Sequence, residues 1–200
     1  TGDNFDEVYK KTTSHLLEVK VKLIEIKNNT GKTIHIDIEP EPDGLLESGT
    51  EFLKWYEDYL LPSGTSLLNK HFGWTNEIST KALKEHVQLC YDICHFAVGY
   101  EDHQEMITAL QKKNIRIGKI QISAALKAGI PIVGEERNSV IDSFKQFNES
   151  TYLHQVIALQ KNGGLKKYPD LPEAIQQAND PLTIEWRSHF HVPLFVENYG

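Results

Sequence analysis

Two periods of apolar and polar positions run along this chain, and each period indicates a different secondary structure. Residues 5–27 place apolar side chains at helical spacing, which predicts a first helix that ends before Gly31. Residues 34–38 alternate isoleucine with polar residues ahead of two prolines, which predicts a strand followed by a loop. The apolar positions of the predicted first helix are Leu16, Val19, Leu23 and Ile26.

The same patterns continue along the chain and give an alternating order of strands and helices. Such an order is typical of a parallel α/β fold, either an open sheet or part of a barrel about twice this length. Two alternating runs flank Asn162, Gly163 and Gly164, which predicts an antiparallel hairpin inserted between the α/β units. The other predicted elements are helices over 51–61, near 80–85 and over 104–113, 138–148 and 171–178, strands over 86–96, 116–126 and 186–195, and a polar excursion over 62–80.

Composition and charge narrow the classes of function. The chain has 200 residues, a formal net charge of -7 and no cluster of lysine and arginine, which argues against a surface that neutralises nucleic-acid phosphates. A small phosphorylated substrate needs few donors and is still allowed. The spacing of Cys90 and Cys94 favours buried free thiols in a reducing compartment. No apolar run approaches the roughly 18 residues of a membrane span, so we expect a cytoplasmic protein.

Acidic and histidine residues stand where predicted strands end, and parallel α/β folds build their sites there. Glu39 follows the first strand between prolines, and its carboxylate suits a divalent metal ion or a general base. A solvated loop carboxylate that caps the next helix is the alternative. Asp92 is followed by His95, a spacing that suits two metal ligands or a ligand beside a substrate contact. The alternative is a helix-capping aspartate beside a hydrogen-bonded histidine.

Polar pairs at alternating positions mark two later strands. Gln121 and Ser123 share one face of their predicted strand, where they either contact a ligand or form hydrogen bonds within the core. His189 and His191 share one face of the last predicted strand, and two imidazoles on one face recur in metal sites. A pair packed in a polar core is the alternative for these two histidines.

Two further residues are candidates for substrate contacts. Arg187 has the parity of the histidine pair on the last predicted strand, and its guanidinium suits a carboxylate or phosphate group. His154 lies in the predicted hairpin, where a structural role is favoured over a substrate contact.

Six segments between residues 34 and 195 are specific as a set, and they read IDIEPEPDGLLES, CYDICHFAV, IGKIQISAAL, YLHQV, DLPEA and WRSHFHVPLF. The order of the strand-end residues within them is similar to that of the xylose isomerase-like TIM barrels, which include sugar isomerases, sugar epimerases and endonuclease IV. The six segments together resemble still more closely the EboE family of metabolite-traffic proteins, which are sugar phosphate isomerase-like barrels.

The resemblance implies a specific form of the α/β class. Residues 1–200 would be a single domain, a fragment comprising about strands 4–7 of a (β/α)8 TIM barrel with their helices, plus the hairpin as an insertion. Part of a barrel exposes sheet edges and an apolar face, so self-association of the chain is expected unless the fold departs from barrel geometry.

The resemblance also implies a bound divalent ion, Zn, Mn or Mg, and the residues that hold it. Glu39 matches the first metal carboxylate, Asp92 the second, and His95 the neighbouring ligand or substrate histidine. Gln121 departs from the pattern, since sugar epimerases place a metal histidine there. The predicted metal ligands are Glu39, Asp92, His95, Gln121, His189 and His191, of which the last two resemble a ligand pair in the endonuclease.

The first predicted function is a divalent-metal-dependent sugar (phosphate) isomerase or epimerase, in which Glu39 moves a proton. The substrate would be a small metabolite, a sugar or a phosphorylated precursor, in the traffic of secondary-metabolite precursors. The alternative is a carrier that keeps the pocket without the chemistry, which Gln121 in place of a histidine favours. Cleavage of DNA is disfavoured by the acidic charge. The predicted substrate contacts are His95, Ser123, His154 and Arg187.

Overall fold

The computed structural model of the protein describes residues 5–148 and 153–192, and the side chains of residues 191 and 192 lie outside that description. The described chain divides into two units, each with its own sheet. The first unit comprises residues 5–40, Gly49–Tyr91 and His103–Ile120, and the second comprises Glu41–Ser48, Asp92–Asp102 and the described residues from Gln121 onward.

The first unit begins with helix α1, Phe5–Thr30, which confirms the helix predicted from the apolar spacing. The helix ends where Gly31 adopts a positive φ of 73°. The buried face differs in part from the predicted one, because Val19 is 49% exposed. The residues that α1 buries include Leu17, Val21, Leu23 and Ile24.

A continuous helical region spans the predicted second helix and the first part of the predicted polar excursion over 62–80. Helices α2 (Gly49–Trp55) and α3 (Leu61–Phe72) are joined by a π-helical turn, Tyr56–Leu60. The prediction of an excursion after residue 61 was wrong because Gly64 is a close-packing position. A Cβ at Gly64 would lie 2.5 Å from the side chain of Leu83, in the next helix, Asn76–His86, so a larger residue would not fit there unless that side chain moved.

A short parallel sheet completes the first unit. It consists of β1 (Ile36–Ile38), β2 (Val87–Asp92) and β3 (Ile117–Gln121), in that order across the sheet. Every residue of β2 is buried, as expected for a central parallel strand. The last residues of β2 and β3, Asp92 and Gln121, belong to the second unit. The helices of this stretch are α4 (Asn76–His86), α5 (Ile93–Val98) and α6 (His103–Lys112), with α5 in the second unit.

The second unit contains an antiparallel sheet. Its strands are β4 (Ala124–Gly129), β5 (Val156–Gln160), β6 (Leu165–Tyr168) and β7 (Thr183–Val192), in the order β4-β7-β5-β6. The predicted hairpin is confirmed, since β5 and β6 pair antiparallel with Leu159 opposite Leu165. The helices that follow β4 and β6 are α7 (Glu135–Lys145) and α8 (Leu171–Gln176).

The two faces of this antiparallel sheet have different neighbours. Helices α7 and α8 cover one face, where Phe144 and Leu171 join Trp186 in the larger apolar core of the unit. Helix α5 covers the other face, where Cys94 packs against Ile157. Because side chains alternate along β7, Arg187 and His189 lie on the face opposite Trp186, toward α5.

The α/β class is confirmed, but the predicted run of four parallel strands is wrong. The predicted strand 116–126 divides into β3 and β4, which lie in different sheets. The last predicted strand is β7, which runs antiparallel to both of its neighbours. Alternation of buried and half-buried residues along β7 is typical of an antiparallel sheet, whereas β2 is buried throughout. Within the described ranges, neither sheet closes into a barrel.

The helices carry no membrane-spanning segment in the part of the chain that the structure describes. None of them is both long enough and apolar enough to cross a bilayer.

Candidate metal centre in the second unit

Asp92 stands at the junction between β2 and α5 and begins the candidate site. Its side chain is fully buried, and its Oδ1 atom accepts hydrogen bonds from the backbone N–H groups of Cys94 at 2.8 Å and His95 at 3.3 Å. Asp92 is therefore the N-cap of α5, because it satisfies backbone donors that the first turn of a helix leaves unpaired. The helix-capping alternative considered for this residue is thus one of its roles.

Two side chains that follow β3 complete the surroundings of Asp92. Gln121 Nε2 donates to Asp92 Oδ2 at 2.7 Å, and Ser123 Oγ donates to Asp92 Oδ1 at 3.1 Å. An ionised carboxylate has about four lone-pair sites, so these four donors hold the group in one orientation. The structure therefore brings together three of the residues that the sequence singled out, around one buried carboxylate.

His95 and His189 form the second half of the site. The Nε2 atoms of the two imidazoles are 3.1 Å apart, and the rings meet edge to face with centroids 4.8 Å apart. His95 is carried by α5 and is 5% exposed, whereas His189 is carried by β7. When two neutral rings form this contact directly, one ring carries its proton on Nε2 and donates a hydrogen bond, and the unprotonated Nε2 of the other ring accepts it.

The same separation suits two nitrogen ligands of a single ion. Metal–nitrogen bonds of about 2.0–2.1 Å at octahedral to tetrahedral angles place the nitrogens roughly 2.9–3.4 Å apart. The measured 3.1 Å between the His95 and His189 Nε2 atoms lies within that interval. Asp92 and His95 also offer ligand atoms within 4.8 Å of each other. Two imidazoles beside a carboxylate form a donor set that fits zinc and similar divalent ions.

His154 supports the backbone of the site. Its Nδ1–H donates to the carbonyl oxygen of His189 at 3.0 Å, and its ring lies against Phe190 with centroids 4.8 Å apart. Its own backbone N–H donates to Asp170, which also caps α8. His154 thus fixes the strand that carries His189, while its predicted contact with a substrate stays a prediction.

Arg187 lies on the same face of β7 as His189, and two of its nitrogen atoms donate to protein groups. Its Nη1 donates to the carbonyl oxygen of Ala97 at 2.8 Å, and its Nε donates to Glu185 Oε1 at 3.0 Å. The guanidinium carbon lies 3.8 Å from the centre of the Tyr100 ring, a cation–π contact. Burial would raise the pKa of Glu185, but hydrogen bonds from Arg187 and Lys127 hold that pKa below its usual value.

Of the two remaining predicted ligands, Glu39 belongs to the first unit, and the side chain of His191 is outside the described residues. Glu39 follows β1 in the first unit, is half-buried, and accepts a hydrogen bond from Cys90 Sγ at 3.5 Å. Burial, with a further contribution from the Glu39 charge, raises the pKa of Cys90 to about 12, so this thiol is a donor and not a nucleophile. His191 lies on β7, and its side chain is outside the described residues.

The sequence reading missed Tyr100 and Glu185, the neighbours of Arg187. Glu185 shares the alternating parity of Arg187 and His189, so it could have been found from the strand pattern. Tyr100 offers no such signal, because its position under Arg187 depends on a left-handed backbone with φ of 57°, which is uncommon for a residue with a side chain.

Comparisons with known proteins identify no relative of this chain. No protein-family model, no curated protein and no solved structure matches the chain. The resemblance to the EboE family therefore stays a prediction, and the site is interpreted from its own chemistry.

Proposed function

We propose that the second unit binds one divalent metal ion through His95 and His189, with Asp92 beside them. The observation that carries this proposal is the 3.1 Å separation of the two Nε2 atoms, each held by a different element. The fixed carboxylate of Asp92 supplies the negative charge that a divalent cation needs nearby. The same donor chemistry favours zinc over magnesium, since magnesium prefers oxygen ligands.

We further propose that the chain is a metal-dependent isomerase- or epimerase-like protein that acts on a small polar metabolite, a sugar or its phosphate. A bound divalent ion polarises a carbonyl or hydroxyl group. Asp92 keeps His95 oriented through the cap of α5, and Gln121 and Ser123 keep Asp92 in place. The predicted role of Glu39 as proton carrier and further ligand rests on its place after β1 in the sequence.

The relation to the xylose isomerase-like barrels and the EboE family belongs to this proposal. What supports it is the parallel pairing of β1 and β2, with Glu39 directly after β1 and Asp92 as the last residue of β2. The antiparallel sheet of the second unit has no counterpart in a run of barrel strands, so the proposal limits the barrel-like part to the first unit's sheet.

A metabolite carrier without catalysis is the second candidate function. One observation favours it: Asp92 already accepts hydrogen bonds from four donors, one of which is the amide of Gln121 where a metal histidine was expected. A carboxylate engaged in this way orients neighbouring groups better than it moves protons. The two candidates share the metal ion and differ in turnover.

Metal content of the purified protein tests the proposal. We expect one divalent ion per chain after exposure to Zn, Mn or Mg followed by dialysis, with zinc retained best. His95→Ala and His189→Ala should each lose the ion, whereas His71→Ala should retain it, because His71 is a half-exposed histidine of the first unit. Failure of the unchanged protein to retain any of the three ions would contradict the proposal.

A further inference from the structure

Helix α5 is too short to hold its own position. It has six residues, Ile93–Val98, and isolated helices of this length do not persist in water. Its place over β7 therefore depends on tertiary contacts. Because α5 carries His95 and β7 carries His189, the same contacts decide how far apart the two imidazoles lie.

Arg187 makes a polar contact that joins the end of α5 to β7. Its Nη1 donates to the carbonyl of Ala97, in the last turn of α5, at 2.8 Å, and the same carbonyl accepts from the backbone N–H of Tyr100 at 3.2 Å. A cation at the carboxyl end of a helix also interacts favourably with the helix dipole. Ala97 lies two residues after His95, and Arg187 lies two residues before His189, so this contact stands directly beside the imidazole pair.

The guanidinium of Arg187 is itself fixed from two further sides. Its central carbon lies 3.8 Å from the centre of the Tyr100 ring, and Glu185 accepts a hydrogen bond from Nε at 3.0 Å. Tyr100 lies two residues after the end of α5, and its backbone is left-handed. Stacking and directed donation use the planar fork of arginine, and lysine cannot reproduce both at once.

We propose that Arg187 is the positioning residue of the His95–His189 pair. By fastening the end of α5 to β7, it sets the separation of the two Nε2 atoms, and through that separation the affinity for a divalent ion. The consequence for affinity rests on the proposed metal site, while the consequence for the imidazole pair does not. Arg187 thereby acts on the imidazole pair through protein contacts, and its predicted contact with a substrate stays a prediction.

Two measurements on the same variants test this inference. The first is long-range proton–nitrogen NMR of the histidine rings without metal, and the second is zinc affinity by competition with a chelator. Arg187→Ala and Arg187→Lys should both change the His95 and His189 ring signals and lower zinc affinity by about tenfold, the lower end of what supporting residues contribute. Lys127→Ala is the matched control. Lys127 lies on β4, the strand beside β7, and its substitution removes one positive charge that pairs with Glu185.

Each outcome decides the inference. Ring signals and zinc affinity unchanged in both arginine variants would overturn it, as would equal changes in Lys127→Ala. If the ring signals change in the arginine variants but the unchanged protein binds no ion, Arg187 is retained as the positioning residue and the metal site is rejected. If Arg187→Ala does not fold, Arg187→Lys decides by the same two readouts, since it keeps the charge.

Discussion

Two groups of buried polar side chains, one in each unit, meet different partners. In the first unit, Lys20 donates to the carbonyl of Ala82, and His86 Nδ1 contacts the carbonyl of Ile34, so both meet main-chain oxygens. In the second unit, Asp92 and the imidazole pair contact side chains from separate elements, and Asp92 also caps α5. Main-chain partners let Lys20 and His86 hold elements together, whereas polar side chains gathered from several elements can serve as a ligand site.

Arg137 shows that the distinction does not simply follow the division into units. It lies in the second unit, is 4% exposed, and donates to the carbonyls of Pro131, Ala178 and Asp180. Its partners are main-chain carbonyls, as they are for Lys20 and His86, and through them Arg137 holds loops in place. Substitutions can therefore separate the two kinds of buried polar group, and four of them are ordered below from the largest expected effect.

Asp92→Ala should have the largest effect. It removes the acceptor of four donors, two of them buried backbone N–H groups, so we expect the free energy of unfolding to fall by about 3–4 kcal/mol and metal binding to be lost. Urea unfolding followed by tryptophan fluorescence measures the first effect. Asp142→Ala is the control, because Asp142 is an exposed partner of Lys145 and should change stability by less than about 0.5 kcal/mol. A loss below about 1 kcal/mol in Asp92→Ala would contradict the interpretation.

Arg137→Ala should destabilise the protein without affecting metal content. Carbonyl groups of the loops around α7 and α8 lose their donors, and we expect a loss of about 2–3 kcal/mol in urea unfolding. Arg116→Ala, at an exposed arginine of the first unit, is the matched control. Loss of the bound ion from a folded Arg137→Ala protein would remove the distinction between the two kinds of polar group.

Lys20→Met should stabilise the protein at neutral pH. Burial lowers the pKa of Lys20 to about 7, and nearby Glu85 opposes the shift only in part. Between pH 7 and the usual lysine pKa of about 10.4, the unfolded chain binds more protons, so the stability of the unchanged protein rises with pH. Below that window both states are protonated, and the cost of the buried charge is present in full.

The measurement for Lys20 is the urea midpoint at about pH 7 and about pH 9.5. We expect Lys20→Met to gain about 1–2 kcal/mol at the lower pH, reduced from the full linkage term by the lost bond to Ala82, and to show a flatter pH dependence. Lys22→Met, at an exposed lysine of α1, is the control. An unchanged pH dependence in Lys20→Met would show that Lys20 keeps an ordinary pKa.

Ser123→Ala should have the smallest effect of the four. It removes one of the four donors to Asp92. Because this bond is half-buried and 3.1 Å long, we expect a loss of about 1 kcal/mol, below the roughly 1.5–3 kcal/mol of a typical hydrogen bond to a charged group. Ser143→Ala removes a hydroxyl whose bond to a helix carbonyl is exposed, and it should be close to neutral. A Ser123→Ala protein as stable as Ser143→Ala would indicate that the hydroxyl does not contribute to holding the carboxylate.

Local patterns in the sequence predicted the elements better than their pairing. The helical period identified α1, and the Asn162-Gly163-Gly164 turn identified the β5–β6 hairpin, since both depend on neighbouring residues. The antiparallel partners of β7 lie far away along the chain, and no local period encodes them. Gly64 was misinterpreted because a glycine at a close helix contact has the same composition signal as one in a loop.

The sequence predicted several residues of the candidate site but not the contacts between them. Strand-end reasoning identified Asp92, Gln121 and Ser123, and the structure brings them together. It also identified His189, but it placed this residue on a parallel strand, whereas β7 is antiparallel to both of its neighbours. The role of Arg187 toward α5 depends on the backbone of Tyr100, which sequence alone does not indicate.

X-ray absorption at the zinc edge of the zinc-loaded protein tests the central claim most directly. The account predicts two imidazole nitrogens at about 2.0–2.1 Å from the ion, and one imidazole fewer in His189→Ala. A zinc ion surrounded by oxygen alone, or an imidazole count unchanged in His189→Ala, would show that the ion binds elsewhere and that the His95–His189 contact is an ordinary hydrogen bond.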